Sequence, residues 1–279
     1  MTDKIIEAID NKLLTAEVLT PEHLRKAYSN NKVYSDGRFP LQRGRGIFDD
    51  IDQLDQYLYT YGIMVNQQWD SAFETVILED STTLIDYGCG QGISLLNLIC
   101  KWHPDEPNKT WQDLINSIVL IEPSKVALNR AEAIARLKFP EANIKTINKK
   151  LEDLDDGEIS YEVNKVYIHV FSQIMDIPFE EEFDILDFFE KITCNVGTHY
   201  LLIISHDTPA MNNTTQIKEL YKYIVNNYVS ADTTLNTLKN SLFYNISKQA
   251  KSTALNSYCT ANGKLSISMF ACIETTKGG

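Results

Sequence analysis

Thr83-Leu84-Ile85-Asp86-Tyr87-Gly88-Cys89-Gly90-Gln91-Gly92-Ile93 is the stretch whose reading decides the fold. Leu84 and Ile85 form a short apolar run between polar Ser81-Thr82-Thr83 and Gly88, the pattern of a buried strand bounded by breakers. Three glycines at alternate positions let the backbone turn tightly and bare its amides. From Ile93 onward, Ile93, Leu95, Leu96, Leu98, Ile99 and Trp102 supply an apolar helical face. The segment reads as strand, glycine turn and helix start. A ligand held against it meets bare backbone, amide donors and the positive end of a helix.

The dinucleotide fingerprint Gly-x-Gly-x-x-Gly fails here by one residue, because the spacing is Gly88-x-Gly90-x-Gly92. Asp86 stands two positions before the first glycine. The pattern resembles motif I, Asp/Glu-x-Gly-x-Gly-x-Gly, of the Rossmann-like (class I) S-adenosylmethionine-dependent methyltransferases. The resemblance implies S-adenosylmethionine (SAM) as cofactor. Asp86 would orient water or the cationic amino-acid end of SAM, and Gly88, Gly90 and Gly92 would make room for the methionine moiety and ribose. Cys89, inside the turn, either touches the ligand or serves as a small packing residue.

The next landmark is Glu122, which ends the apolar strand Ser117-Ile118-Val119-Leu120-Ile121 and precedes Pro123. An acidic side chain at that strand end can accept hydrogen bonds from two vicinal ribose hydroxyls. It follows Gly92 by about thirty residues against the usual twenty or so, and the polar insertion from His103 to Asn116 explains the excess. In the resembled family an Asp often follows the third strand and meets adenine. Here the stretch is Asn148-Lys149-Lys150-Leu151-Glu152-Asp153-Leu154, with lysine where Asp would be. That leaves Leu151 to flank the ring and Glu152 or a backbone group to meet its amino group. Pro123 and Phe171 complete the expected cofactor contacts.

Strands and helices alternate from Thr82 on, which argues for a mostly parallel sheet covered on both faces. Further strands are predicted near Asn143–Ile147, Lys165–Phe171 and Tyr200–Ser205. Helices are predicted at Ser124–Leu137, Glu181–Ile192 and Thr214–Val229. Strands near Ser241–Ser247 and Leu265–Glu274, joined through Asn262-Gly263, read as an antiparallel edge pair. The expected fold is α/β: a Rossmann-like sheet of seven strands preceded by a helical N-terminal cap. Residues 1–80 are the cap and 81–279 the SAM-binding domain.

In the cap, helices are predicted over Asp3–Leu14, from the Thr20-Pro21 cap to Asn30, over Asp49–Met64 and over Gln67–Leu78, with Gly62 breaking the last two apart. The loop between Tyr34 and Gly46 carries three arginines, Arg38, Arg43 and Arg45, in an otherwise acidic chain. It is either a solvated loop or an arm presenting Arg43 or Arg45 to a carboxylate or phosphate. Tyr57, Tyr59 and Tyr61 are either packing residues or ligand contacts, and Tyr57 and Tyr61 are taken as substrate-binding candidates.

Ligands of such sheets bind beyond the carboxyl ends of the strands. His169, within the fourth strand, is either a general base or a buried, hydrogen-bonded residue. Ser172 and Gln173 stand nearer the mouth, and His206 ends the fifth strand. His169, Ser172 and His206 are therefore the catalytic candidates and Gln173 a substrate contact. His169, His206 and Asp207 lack a diagnostic metal spacing, so no metal is expected.

Composition narrows the acceptor. The formal net charge is -12, which repels a phosphate backbone. The Asn/Asp-Pro-Pro-Tyr/Phe and Pro-Cys motifs of nucleic-acid methyltransferases are missing, so the expected acceptor is a small molecule or a protein. With 279 residues, 43% of them hydrophobic, the chain can bury one large core. The five scattered cysteines form no Cys-x-x-Cys pair and fit reduced thiols. No apolar segment approaches the roughly 18 residues of a membrane span, and a soluble cytoplasmic protein is expected. Two other functions fit the same residues: a SAM-binding protein without methyl transfer, and a nicotinamide-linked oxidoreductase on a similar sheet.

Overall fold

The structure, a computed structural model, describes residues 2–30, 41, 46–70, 81–101, 108–155, 157–159, 165–175, 177, 183–206, 215–228, 258–259 and 265–275. Five strands run parallel: β1 (Thr82–Tyr87), β2 (Ile115–Ile121), β3 (Asn143–Ile147), β4 (Lys165–Ser172) and β5 (Gly197–His206). Their order is β3-β2-β1-β4-β5, so β1 is central and every residue in it is buried. β7 (Leu265–Thr275) lies antiparallel beside β5, and the two-residue β6 (Tyr258–Cys259) pairs with β7 at the edge. The edge therefore differs from expectation. The strand expected near Ser241–Ser247 lies outside the described residues, and Tyr258–Cys259 takes the place beside Leu265–Ser266.

Alternation along β1 divides the interior. Leu84 faces one core and Ile85 and Tyr87 the other, as successive strand side chains must. The first core receives α4 (Ile93–Lys101) and α6 (Lys125–Lys138), together with α1 (Lys4–Asp10), α2 (Pro21–Tyr28) and α3 (Ile51–Asp70). The one-turn helix α5 (Trp111–Leu114), inside the insertion read as polar, leads into β2 and buries Trp111 there too. α7 (Ile185–Thr193) and α8 (Thr215–Tyr228) cover the opposite face.

The N-terminal helices share a single core with α4 and α6. Ile5, Leu24, Leu58 and Trp69 belong to the same apolar cluster as Leu96 and Ile134. Asp3 caps α1, accepting from Ile5 N at 2.9 Å, and Thr20 caps α2, accepting from His23 N at 3.0 Å. α3 runs unbroken for 20 residues through Gly62. That glycine was expected to end a helix. It instead lets α2 approach, since a Cβ there would stand 3.2 Å from Arg25 Cδ.

A buried guanidinium fastens these helices to the sheet domain. Arg130 of α6 is fully buried. Its Nε donates to Asp3 Oδ2 at 2.8 Å, its Nη2 to Asp55 Oδ1 at 2.9 Å and its Nη1 to Gln91 Oε1 at 2.7 Å. The N-terminus, α3, α6 and the glycine turn thus meet on one side chain. Removing one partner of such a pair strands the others without charge compensation, at about 3–5 kcal/mol. Arg130→Met is expected to lose stability on that scale in urea denaturation, whereas Arg136→Met, on the exposed side of the same helix, should change it by less than about 1 kcal/mol.

Candidate functional site

β1 ends at Tyr87, and the chain turns through Gly88, Gly90 and Gly92 at φ of 65°, 53° and 84°. The last two glycines are required for different reasons. A Cβ on Gly92 would stand 3.1 Å from the Cα of Ala131, so this residue lets α6 lie against the turn. A Cβ on Gly90 would meet nothing within 4 Å, so only the left-handed backbone demands glycine there.

Three amides of the turn are already engaged, where the sequence suggested bare donors. Cys89 N donates to Ile121 O and Gly92 N to Cys89 O, each at 3.0 Å. Gly90 N donates to Glu122 Oε2, also at 3.0 Å. The other oxygen of Glu122 accepts from Ser124 N at 2.9 Å. Asn148 Nδ2 holds the Glu122 and Pro123 carbonyls at 2.9 and 2.8 Å. Glu122 is therefore clamped at the end of β2, half-buried, with the glycine turn drawn against it.

Asp86 is completely buried one layer deeper. Its Oδ2 accepts a hydrogen bond from Ser94 Oγ, and its Oδ1 has no partner among the described residues. Burial pushes the Asp86 carboxyl up to about 7, opposed by the Ser94 hydrogen bond and reinforced by the Glu122 charge. Burial likewise raises Glu122 to about 7, against the pull of the Ser124 and Gly90 amides. Two desolvated acids on one wall favour a cation beside them.

The cleft over this wall has a cavity volume of about 160 Å³ and opens to solvent. Gly88, Cys89, Gly90, Glu122 and Pro123 line one part, and Tyr57, Ser172 and Gln173 line another. These eight expected site residues are brought together. Phe48 and Tyr57, in tilted contact at 5.9 Å, form part of the roof. Ser124 Oγ donates to Phe48 O, tying that roof to the floor.

Other expected contacts stand off the cleft. Asp86 sits behind Ser94, which lines the cleft in its place. Gly92 faces α6 rather than the opening. Phe171 is buried on the opposite core, stacked on Tyr87 at 4.4 Å. Leu151 is buried in that same core, and Glu152 follows it in a short 3-10 turn, so neither lines the cleft. Tyr61 is buried behind Tyr57, their rings 5.1 Å apart. Arg43 and Arg45 lie outside the described residues. His206 is the last residue of β5, and its side chain is not described.

His169 resolves to the buried alternative. His199 Nε2 lies 2.9 Å from Asn195 O, which can only accept, so that nitrogen carries the proton. His199 Nδ1 then accepts from His169 Nε2 at 3.0 Å, and His169 Nδ1 accepts from Tyr87 Oη at 3.0 Å. Burial holds both imidazoles below their ordinary range, most strongly His169. The chain is neutral, satisfied and removed from the cleft.

Residues missed in the sequence are Gln91, Ser94, Ser124 and Asn148. Gln91 Nε2 donates to Leu54 O at 3.1 Å, bolting α3 to the turn. Ser124 offered a signal, since Ser after Pro and before a helical run is an N-cap pattern; its Oγ accepts from Ala127 N.

No family model matches the chain, and no curated protein matches it. Several solved structures resemble it distantly. A Streptococcus thermophilus rRNA methylase is 15% identical, with 52% of this chain and 70% of that one covered and a TM-score of 0.31. The mycolic acid cyclopropane synthase CmaA1, solved with SAH and CTAB, is 15% identical, with 78% and 67% covered and a TM-score of 0.33. The YcgJ protein of Bacillus subtilis is 12% identical, with 77% and 97% covered and a TM-score of 0.35. No helix among the described residues is long and apolar enough to cross a membrane.

Two outcomes test this geometry. Gly90→Ala is expected to cost about 1–2 kcal/mol through backbone strain alone, and Gly92→Ala more, because its Cβ also presses on α6; chemical denaturation ranks the two. Glu122→Gln should behave unusually with pH. The folded carboxyl titrates near 7 and the unfolded one near 4.3, so this group costs wild type stability as pH rises between those values; the Gln variant is spared that contribution and keeps only the one from Asp86. The stability of Glu122→Gln relative to wild type should therefore grow from pH 4 to pH 7 by about 1–3 kcal/mol and level off above; urea midpoints across that range measure it.

Proposed function

We propose that the cleft binds S-adenosylmethionine and that the protein is a methyltransferase acting on a small-molecule or protein acceptor. Residues 1–80 would serve as a helical cover and 81–279 as the nucleoside-binding domain. The observation that carries this reading is the pair of desolvated carboxylates, Asp86 and Glu122, beside a glycine turn whose Cys89, Gly90 and Gly92 amides are already engaged.

A dinucleotide needs the opposite arrangement. Its pyrophosphate seeks free amides at the helix N-terminus and is repelled by acids. A sulfonium nucleoside brings positive charge on sulfur and on its amino group, which the two acids complement. Asp86 Oδ1, which has no partner among the described residues, gains a hydrogen bond if a ligand amine or its bound water reaches it. Glu122, clamped through both oxygens, keeps lone pairs for ribose hydroxyls. Gly90 leaves open space where the nucleoside would lie.

When bound, SAM supplies an activated methyl group, whose carbon–sulfur bond breaks with its electron pair left on sulfur as an acceptor lone pair takes the carbon. The protein's own residues contribute alignment and the exclusion of water. His169 takes no part as a base, since its one lone pair already accepts from Tyr87 Oη and its ring is fully buried. The proton of a neutral acceptor passes to solvent. The net charge of -12 supports an acceptor other than a polyanion.

Isothermal titration separates the readings. SAM is expected to bind and NADH is not. Gly90→Arg should abolish SAM binding by filling the turn, while His169→Ala leaves the affinity within about threefold, a difference below about 1 kcal/mol. NADH binding, or equal SAM affinity in wild type and Gly90→Arg, counts against the assignment.

A further inference from the structure

We propose that the β4 side of the cleft, beside the glycine turn, takes an uncharged, largely apolar molecule presenting one hydroxyl group, held by Ser172 and Gln173 at the end of β4. Its role as methyl acceptor rests on the SAM reading above.

Three observations meet at this point. Ser172 Oγ accepts a hydrogen bond from Trp69 Nε1 at 3.2 Å, which orients the hydroxyl and leaves its proton to donate elsewhere. Gln173 follows the strand at φ 62°, a left-handed conformation uncommon outside glycine, and its N donates to Ile204 O at 2.7 Å. Gln173 Nε2 donates to Gln68 Oε1 at 2.8 Å, while its Oε1 is shielded from solvent and has no partner among the described residues. An acceptor left so is expensive, on the order of 1–3 kcal/mol. A ligand donor meets it once the amide turns toward the cleft its residue lines, exchanging the bond to Gln68 for one to the ligand.

A hydroxyl donor and a carbonyl acceptor on adjacent residues match one ligand group well. A ligand hydroxyl accepts from Ser172 and donates to Gln173 through the same atom. The surrounding wall is apolar, with Leu54, Tyr57, Val65, Ile174 and Ile177 among its residues. Of the described residues lining the cleft, Glu122 alone carries charge, and it faces the glycine turn. A carboxylate or phosphate on the acceptor would find no compensating charge among the described residues there. Sites that hydrogen-bond a substrate hydroxyl reject the analogue lacking it far more strongly than apolar pockets reject a methylene.

The test uses the full chain with S-adenosylhomocysteine (SAH) present and, in parallel, without it. Phenol, toluene, benzoate and benzylamine are titrated by ligand-observed NMR. Wild type should bind phenol at least tenfold more tightly than the other three. Gln173→Met, which keeps the volume and removes the acceptor, should bring phenol and toluene within threefold of each other while toluene binding itself is retained. Tighter binding of benzoate or benzylamine than of phenol, or a phenol preference surviving in Gln173→Met, overturns the proposal. SAH titrated alone should bind wild type and Gln173→Met alike. Its failure to bind sinks the cofactor reading, whereas failure of phenol with SAH bound sinks only this one.

Discussion

Arg130 is the constraint on which the arrangement of the cleft depends. A guanidinium taken wholly out of water is tolerated only when its donors are met. Here they are met by three chain segments distant in sequence, at Asp3, Asp55 and Gln91. The desolvation of one charge thereby fixes where the N-terminal helices sit. Gln91 extends the constraint into the glycine turn and back to α3 through Leu54 O. Floor and roof of the cleft are consequently parts of one body, reinforced by the bond from Ser124 to Phe48.

Electrostatics then divides the cleft. Near the turn, Asp86 and Glu122 are held in surroundings that disfavour their charge. That is poor design for an empty pocket and good design for one that receives a cation, since the ligand recovers what burial withheld. At the end of β4 the wall is neutral, and specificity falls to hydrogen bonds. Under the proposals above, a charged ligand portion would meet the acids and a neutral one Ser172 and Gln173.

How much of this was legible follows from what a sequence encodes locally. The turn was readable because alternate glycines after a short apolar run admit few backbone paths, and Glu122 because its strand ends at Pro123. Arg130 was not readable. It lies in an amphipathic helix where an arginine ordinarily reaches solvent, and only tertiary packing reveals that its face is covered. Gly62 misled for a related reason: helix interiors disfavour glycine by only about 1 kcal/mol, which close packing against Arg25 outweighs. The adenine contacts expected of Leu151 and Glu152 came by family resemblance, and the lysine at 150 already marked the departure.

Strand parity supplies the signal that was overlooked at β4. Val166, Ile168 and Val170 belong to the core beneath the N-terminal helices, and Tyr167 and Phe171 to the core beneath α7 and α8. His169 shares the parity of the second set, and Ser172 that of the first. A residue paired by parity with Phe171 could not also face the cleft that Ser172 lines. Once α1 and α3 are committed to the first face by the Arg130 bonds, the cleft opens on that face. Its wall at that end must then be built from β4 residues of Ser172's parity, the turn that follows them, and α3. The hydrogen bonds from Trp69 to Ser172 and from Gln173 to Gln68 are that construction at the level of atoms.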